Sequence, residues 1–286
     1  MPEAPVLRPA EAVAAAARRL ADAGVEEPRR EASRLWAAIA GGPVALSGEG
    51  RGAEEGIGAY ERAVARRAGG EPFAHVTGMA GFRHLDLAAD RRALIPRPET
   101  EGLVELLLGR VRTGVVADIG TGTGCIALSL AAEGAYAAVI ALDRSADALA
   151  LAADNARRTG APVALVRGDL TAPLATGSVD ALVSNPPYLS EAEYAALDPA
   201  VRSWEPALAL VSGPDGLDAT TRLLDDGRRV VRPGGRSRRS GTTRKPWRSS
   251  IASRPWPGRS ISWSPRGRFP SRPPPTSTRR RSASSR

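Results

Sequence analysis

The 286-residue chain has one cysteine, Cys125, two histidines, and one lysine, Lys245, among its 40 basic residues. A single cysteine excludes a disulfide framework within the chain and fits a reducing compartment, the cytoplasm. His75 and His84 lack metal-ligand spacing with Cys125 or with any acidic cluster. No metal site is therefore expected, and both histidines read as structural. No apolar run is long enough to span a membrane. The N-terminus lacks a charged segment followed by an apolar one, so no secretory signal is expected.

Acidic residues are missing from one region altogether. Residues 236–286 hold 15 Lys and Arg and no Asp or Glu. Subtracting them from the chain totals of 40 and 31 leaves 25 basic and 31 acidic residues in 1–235, a net charge of −6. The overall charge of +9 thus belongs to the tail. A basic chain usually points to nucleic acid, but residues 1–235 give no such indication, and no direct nucleic-acid binding is expected of them.

What is present changes in period along the chain. Residues 1–70 read as a small helical domain, with faces at Val13, Ala17 and Leu20, at Leu35, Trp36 and Ile39, and at Ile57, Tyr60, Ala63 and Val64. Residues 71–95 read as a linker containing the alternating stretch G-F-R-H-L-D-L, suited to a β-hairpin. Residues 96–235 alternate strand and helix. Strands are predicted at 115–118, 137–143, 163–168 and 179–184. Helices are predicted at 125–132, from the cap Ser145 to Arg158 with Gly160 as its stop, and at 217–231. Repeated β-α units imply an α/β fold with a parallel sheet wound on both faces.

The loop D-I-G-T-G-T-G-C, Asp118 to Cys125, follows a strand and opens a helix. Its glycines allow close ligand approach, yet it is neither G-x-G-x-x-G nor a phosphate loop ending in G-K-[ST]. Asp118 at the strand end disfavours an anion and suits a cationic amino-acid group. Asp143 ends the second strand, where a carboxylate can accept both ribose hydroxyls. Asp169 ends the third, where it can accept an adenine amino proton. An adenosine with a cationic amino-acid tail is S-adenosylmethionine; the alternative is a nicotinamide-type fold with a degenerate loop. The stretch V-S-N-P-P-Y raises a second question, because two prolines stop a strand just after a polar residue. Asn185, Pro186, Pro187 and Tyr188 form a stiff, polar, aromatic strand end suited to a small planar group, or else a plain turn.

Six segments carry a resemblance: L-I-P-R-P-E-T-E (94–101), D-I-G-T-G-T-G (118–124), A-L-D (141–143), G-D-L (168–170), N-P-P-Y (185–188) and G-P-D-G-L (213–217). Over about residues 8–235 the chain resembles the class I S-adenosylmethionine-dependent methyltransferases, and within them the release factor glutamine methyltransferases. The resemblance implies a Rossmann-like domain behind a helical domain and hairpin. It implies N5-methylation of the glutamine in the G-G-Q motif of peptide chain release factors, by a monomer. The cofactor residues it implies are Asp118, Gly120, Thr121, Gly122, Thr123, Gly124, Asp143, Asp169, Leu170 and Asn185. Catalysis falls to Asn185, Pro186, Pro187 and Tyr188: the Asn185 oxygen and the Pro186 carbonyl accept the substrate amide protons, and the Tyr188 ring stacks on the amide. Arg97 and Glu99 border the site or simply begin a helix. Phe82 lines the substrate pocket or belongs to the core. Leu170 stands where some relatives carry an aromatic. N-P-P-Y is shared with ribosomal-protein glutamine and N6-adenine methylases, so both remain alternatives.

The resemblance stops after Gly235. Residues 236–286 are rich in Arg, Ser and Pro and hold three of the five tryptophans. They read as a disordered basic arm or as a frame-shifted translation. Back-translating Arg244–Pro257 with G or C in third positions, and reading from each third base, gives an apolar-periodic helix. Ser260–Ser264 then gives a strand. Such a break between Gly235 and Lys245 implies an exposed edge at the strand leading into Asn185, and a poorly soluble, weakly stable and inactive product.

Overall fold

The computed structural model describes residues 8–42 and 51–233. The reading of 236–286 lies outside them.

Helices α1 (Pro9–Asp22), α2 (Pro28–Ala40) and α3 (Arg51–Ala68) form the N-terminal bundle. Pro9 and Pro28 each begin a helix, where a missing N–H costs nothing. Ala12, Ala16 and Leu20 recur every four residues on the buried face of α1. The core centres on Trp36 and Tyr60, whose rings meet edge to face at 5.1 Å, a geometry worth about 1 kcal/mol beyond burial. The Tyr60 hydroxyl donates to the Ala32 carbonyl at 2.9 Å. A short helix, α4 (Phe73–Thr77), adds Phe73 and Val76 to this cluster, so the bundle's packing continues past residue 70. Arg66 secures it by donating to both Glu71 oxygens and to the carbonyls of His75 and Val76. His75 is buried, and burial lowers its pKa.

The predicted hairpin forms from β1 (Met79–Phe82) and β2 (Leu85–Ala88), paired antiparallel. Arg83 at its tip adopts a left-handed φ of 51°. Its guanidinium donates to Glu133 and Glu105, and its backbone N–H donates to Glu101. Those bonds hold the hairpin against α5 (Pro98–Leu108) and α6 (Cys125–Glu133). Phe82 is buried in the core there, not in a pocket.

The second half is the expected α/β domain. Strands β3 (Val115–Ile119), β4 (Ala138–Asp143), β5 (Ala164–Arg167) and β6 (Ala181–Ser184) form a parallel sheet in the order β5-β4-β3-β6. The sheet's residues alternate between two apolar clusters. Val116, Val139, Ala181 and Val183 pack with residues of α5 and α6. Ala117, Ile119 and Leu142 pack on the opposite face with Leu223 and Val230 of α11 (Asp218–Val230). Helix α7 (Ala146–Thr159) is capped as predicted: Ser145 accepts from Ala148 N–H and Gly160 ends it in the left-handed region. Three short helices, α8 (Glu191–Ala195), α9 (Pro199–Trp204) and α10 (Ala207–Leu210), follow the N-P-P-Y stretch. Among the described residues β6 is last in the strand order, and beyond it Val231 bridges Val179 in parallel. No helix among the described residues is long and apolar enough to cross a membrane.

Candidate functional site

The carboxyl ends of β3, β4, β5 and β6 converge on one cavity of about 310 Å³, within the range of small-molecule sites. This is where ligands bind in open parallel sheets.

The glycine loop forms one wall. Gly120 N–H and Thr121 N–H both donate to the Leu142 carbonyl at 2.8 Å, and Gly122 N–H donates to Asp143 Oδ2 at 2.9 Å. In a phosphate loop, such N–H groups face the anion. Here three of them are engaged, one by a carboxylate. Gly120 has a φ of 72° and nothing within 4 Å of where a Cβ would stand, so its missing side chain leaves room on the cavity wall. Gly124 serves packing instead: a Cβ there would stand 3.1 Å from Leu128 Cδ1, and the residue does not line the cavity.

Asp143 lines the cavity, its second oxygen accepting from Ser145 N–H at 2.9 Å. Each carboxylate oxygen accepts two bonds, so one lone pair on each remains for a ligand's hydroxyls. Asp169 also lines the cavity and pairs with Arg222 of α11 at 2.5 Å. Both partners are about half exposed, so the pair adds little stability. Leu170 lines the same end with a left-handed φ of 47°, a strain of roughly 1–3 kcal/mol of the kind that collects at functional sites. Asp118 lies beneath the loop, not on the wall. It is fully buried and accepts from the Thr121 hydroxyl at 2.6 Å. Burial pushes its pKa up to about 7, against the lowering effect of Thr121. Thr121, Gly122 and Thr123 complete the wall.

Beside the loop, at the end of the neighbouring strand β6, Asn185 and Pro187 line the cavity; Pro186 and Tyr188 stand outside its lining. Tyr188 is half-buried near Arg97, Glu99 and Glu205, and burial raises its pKa. The stretch is braced from behind. Tyr188 N–H and Leu189 N–H donate to the Leu210 carbonyl, and Ser212 N–H donates back to the Leu189 carbonyl. Arg97 lines the cavity and grips the buried Glu205 through both carboxylate oxygens at 2.8 and 2.7 Å. Arg91 lies 4.0 Å over the Trp204 ring. The two arginines thus hold the chain that follows N-P-P-Y. Glu99 is exposed at the start of α5 and does not line the cavity.

The N-terminal residues 11–78 match the model of the PrmC N-terminal domain, and 98–202 match that of the methyltransferase small domain. The release factor glutamine methyltransferase of Moorella thermoacetica is 45% identical over 233 residues, covering 79% of this chain and 82% of that protein. The one from Cereibacter sphaeroides is 43% identical, covering 80% and 84%. The chain belongs to the release factor glutamine methyltransferase family. A third member, from Nitratidesulfovibrio vulgaris, is 49% identical over 181 residues, 62% of this chain and 61% of its own length.

Several residues of this family member's site escape sequence reasoning. Thr100, Glu205 and Arg222 contact residues 85, 108 and 53 positions away. No local pattern announces such pairs. Among the described residues no cluster of His, Cys, Asp or Glu could hold a metal.

Proposed function

We propose that this chain transfers a methyl group from S-adenosylmethionine to the side-chain amide nitrogen of the glutamine in the G-G-Q motif of peptide chain release factors, as a cytoplasmic monomer. The observation that carries the reading is the shared cavity: one wall is a glycine loop with three N–H groups already engaged, and beside it stands Asn185 ahead of two prolines. The first wall suits an uncharged adenosine better than a pyrophosphate, with Asp143 for the ribose hydroxyls and Asp169 with Leu170 for the adenine. The cofactor supplies an electrophilic methyl when bound.

The chain's own residues do the rest. An amide nitrogen is a weak nucleophile because its lone pair is delocalised. The Asn185 oxygen and the Pro186 carbonyl accept its two N–H groups. Charge then grows on a nitrogen already facing fixed dipoles, which need no reorganisation during reaction. Pro187 limits backbone freedom, and the brace from Leu210 and Ser212 keeps the acceptors in place, so orientation supplies much of the acceleration. Pro186 and Tyr188 stand outside the cavity's own lining, so the Pro186 carbonyl and the Tyr188 ring act on a glutamine that enters past them. No strong base is required, since the proton can leave to water after transfer.

Tritium transfer from labelled S-adenosylmethionine tests the reading. Label should enter a release factor and not DNA or a ribosomal protein. Label in DNA would favour an N6-adenine methylase, and label in a ribosomal protein its glutamine-methylating relative. Label in none of them would favour an inactive product. All the named site residues precede residue 223, so the site itself draws no residue from 236–286.

A further inference from the structure

Asn185 has a chemical problem that its own sequence position does not solve. Its side-chain amide has an acceptor and a donor end of nearly the same shape. Only the oxygen can receive a substrate N–H; turned by 180°, the group would oppose one NH2 with another. Asn185 Nδ2 donates to Thr100 Oγ1 at 3.2 Å. Thr100 is buried at 6% exposure on the first turn of α5, and both residues line the cavity. Threonine is β-branched and so restricted at χ1, its side chain is buried, and Pro98 starts that helix, so the oxygen has few places to stand. The Arg97–Glu205 pair is anchored at the N-cap of the same helix.

We infer that Thr100 is a positioning residue for methyl transfer: its hydroxyl accepts the Asn185 NH2 and thereby presents the Asn185 oxygen to the substrate amide. This rests on the proposed glutamine methylation. When a substrate N–H occupies the Asn185 oxygen, the Asn185 NH2 needs an acceptor on its other side. The Thr100 lone pair is that acceptor. Valine has threonine's shape and no lone pair. It would leave a partly buried donor unpaired in the orientation that the substrate amide requires.

The test is a double-mutant cycle in the full chain, using a release factor with its G-G-Q loop as substrate and single-turnover transfer as readout. Thr100→Val should slow transfer roughly tenfold to a hundredfold, the worth of one hydrogen bond to a buried group, with cofactor affinity by calorimetry unchanged within about twofold. Thr100→Ser should restore most of the rate. In an Asn185→Ala background, Thr100→Val should cost nothing further, because its only route to the reaction is gone. A Thr100→Val enzyme with the wild-type rate overturns the inference and leaves the glutamine reading intact. So does a loss of the same size in both backgrounds, which would mark Thr100 as a general structural residue. A wild type that binds cofactor but methylates no release factor overturns the glutamine reading, and this inference with it.

Discussion

Asn155, buried in the middle of α7, donates to the carbonyl of Thr123 at 2.9 Å and exchanges two further hydrogen bonds with the backbone of Ala88. One side chain thereby joins the end of the hairpin to the cofactor loop. All three bonds are made by a fully buried amide, so removing it strands the buried Thr123 carbonyl and two partly buried backbone groups of Ala88. Asn155→Ala should destabilise the protein by about 2–4 kcal/mol and weaken S-adenosylmethionine binding as the Thr123 turn loosens. Denaturant melts and calorimetry on one preparation check both. A variant with weakened stability and unchanged affinity would mean that the loop holds its shape without α7.

Gly216 meets the N-P-P-Y stretch from behind. Its φ is 77°, and a Cβ there would overlap the Tyr188 carbonyl oxygen and stand 2.9 Å from Ser190 N. The obstacle is backbone and cannot swing aside. Gly216→Ala should displace residues 188–190, and with them Asn185, by a fraction of an ångström or more. Misplacement on that scale costs roughly a hundredfold in rate. Transfer should fall more than affinity for the cofactor, whose proposed contacts Asp143 and Asp169 stand at the ends of β4 and β5. Comparing kcat with the cofactor dissociation constant decides the point.

Asp118 gives the protein a pH signature. Burial raises its pKa from 3.8 to about 7. The folded state therefore keeps a proton that the unfolded state releases above pH 4. A raised pKa contributes stability below the unfolded value and loses it as pH climbs through the folded one. Wild type should lose stability relative to Asp118→Asn between about pH 4 and pH 7, since asparagine does not titrate. Thermal melts of the two proteins across that range should diverge; parallel curves would mean that Asp118 ionises normally.

Much of this organisation is legible in the sequence, for particular reasons. Strands β3 and β4 are apolar and bounded by Gly and Asp, and Ser145 and Gly160 mark the ends of α7 before any contact is known. The segment 191–210 is not legible. Its helices have four to six residues, too few to show a period, and Arg91 and Arg97 hold it from far away in sequence. Helix α4 is missed for the same reason of length. Asp118 looks like a ligand contact because it closes a strand, yet the inward face of that strand end buries it beneath the loop. Thr100 looks like one more residue of a helix start; only the fold brings it to Asn185.

The C-terminal reading leaves its own test. Val231 begins to pair with Val179 where a fifth parallel strand would start, and the sequence continues Arg232-Pro-Gly-Gly-Arg-Ser-Arg-Arg-Ser240. Unpaired charges are too costly for a buried strand. Resequencing should reveal a frame break between Gly235 and Lys245, and the restored chain should be more soluble and melt higher. An intact frame with a soluble, stable product would favour a real basic arm.

The most direct test of the central claim is to locate the transferred methyl. Wild type and Asn185→Ala are each incubated with S-adenosylmethionine and a release factor, and the products are sequenced by mass spectrometry. The expected result is a single methyl on the glutamine of the G-G-Q motif with wild type. Asn185→Ala should give the same product about a hundredfold or more slowly, as expected when one preorganised acceptor is lost, with cofactor affinity changed far less. A methyl on any other residue, or an Asn185→Ala enzyme as fast as wild type, would contradict it.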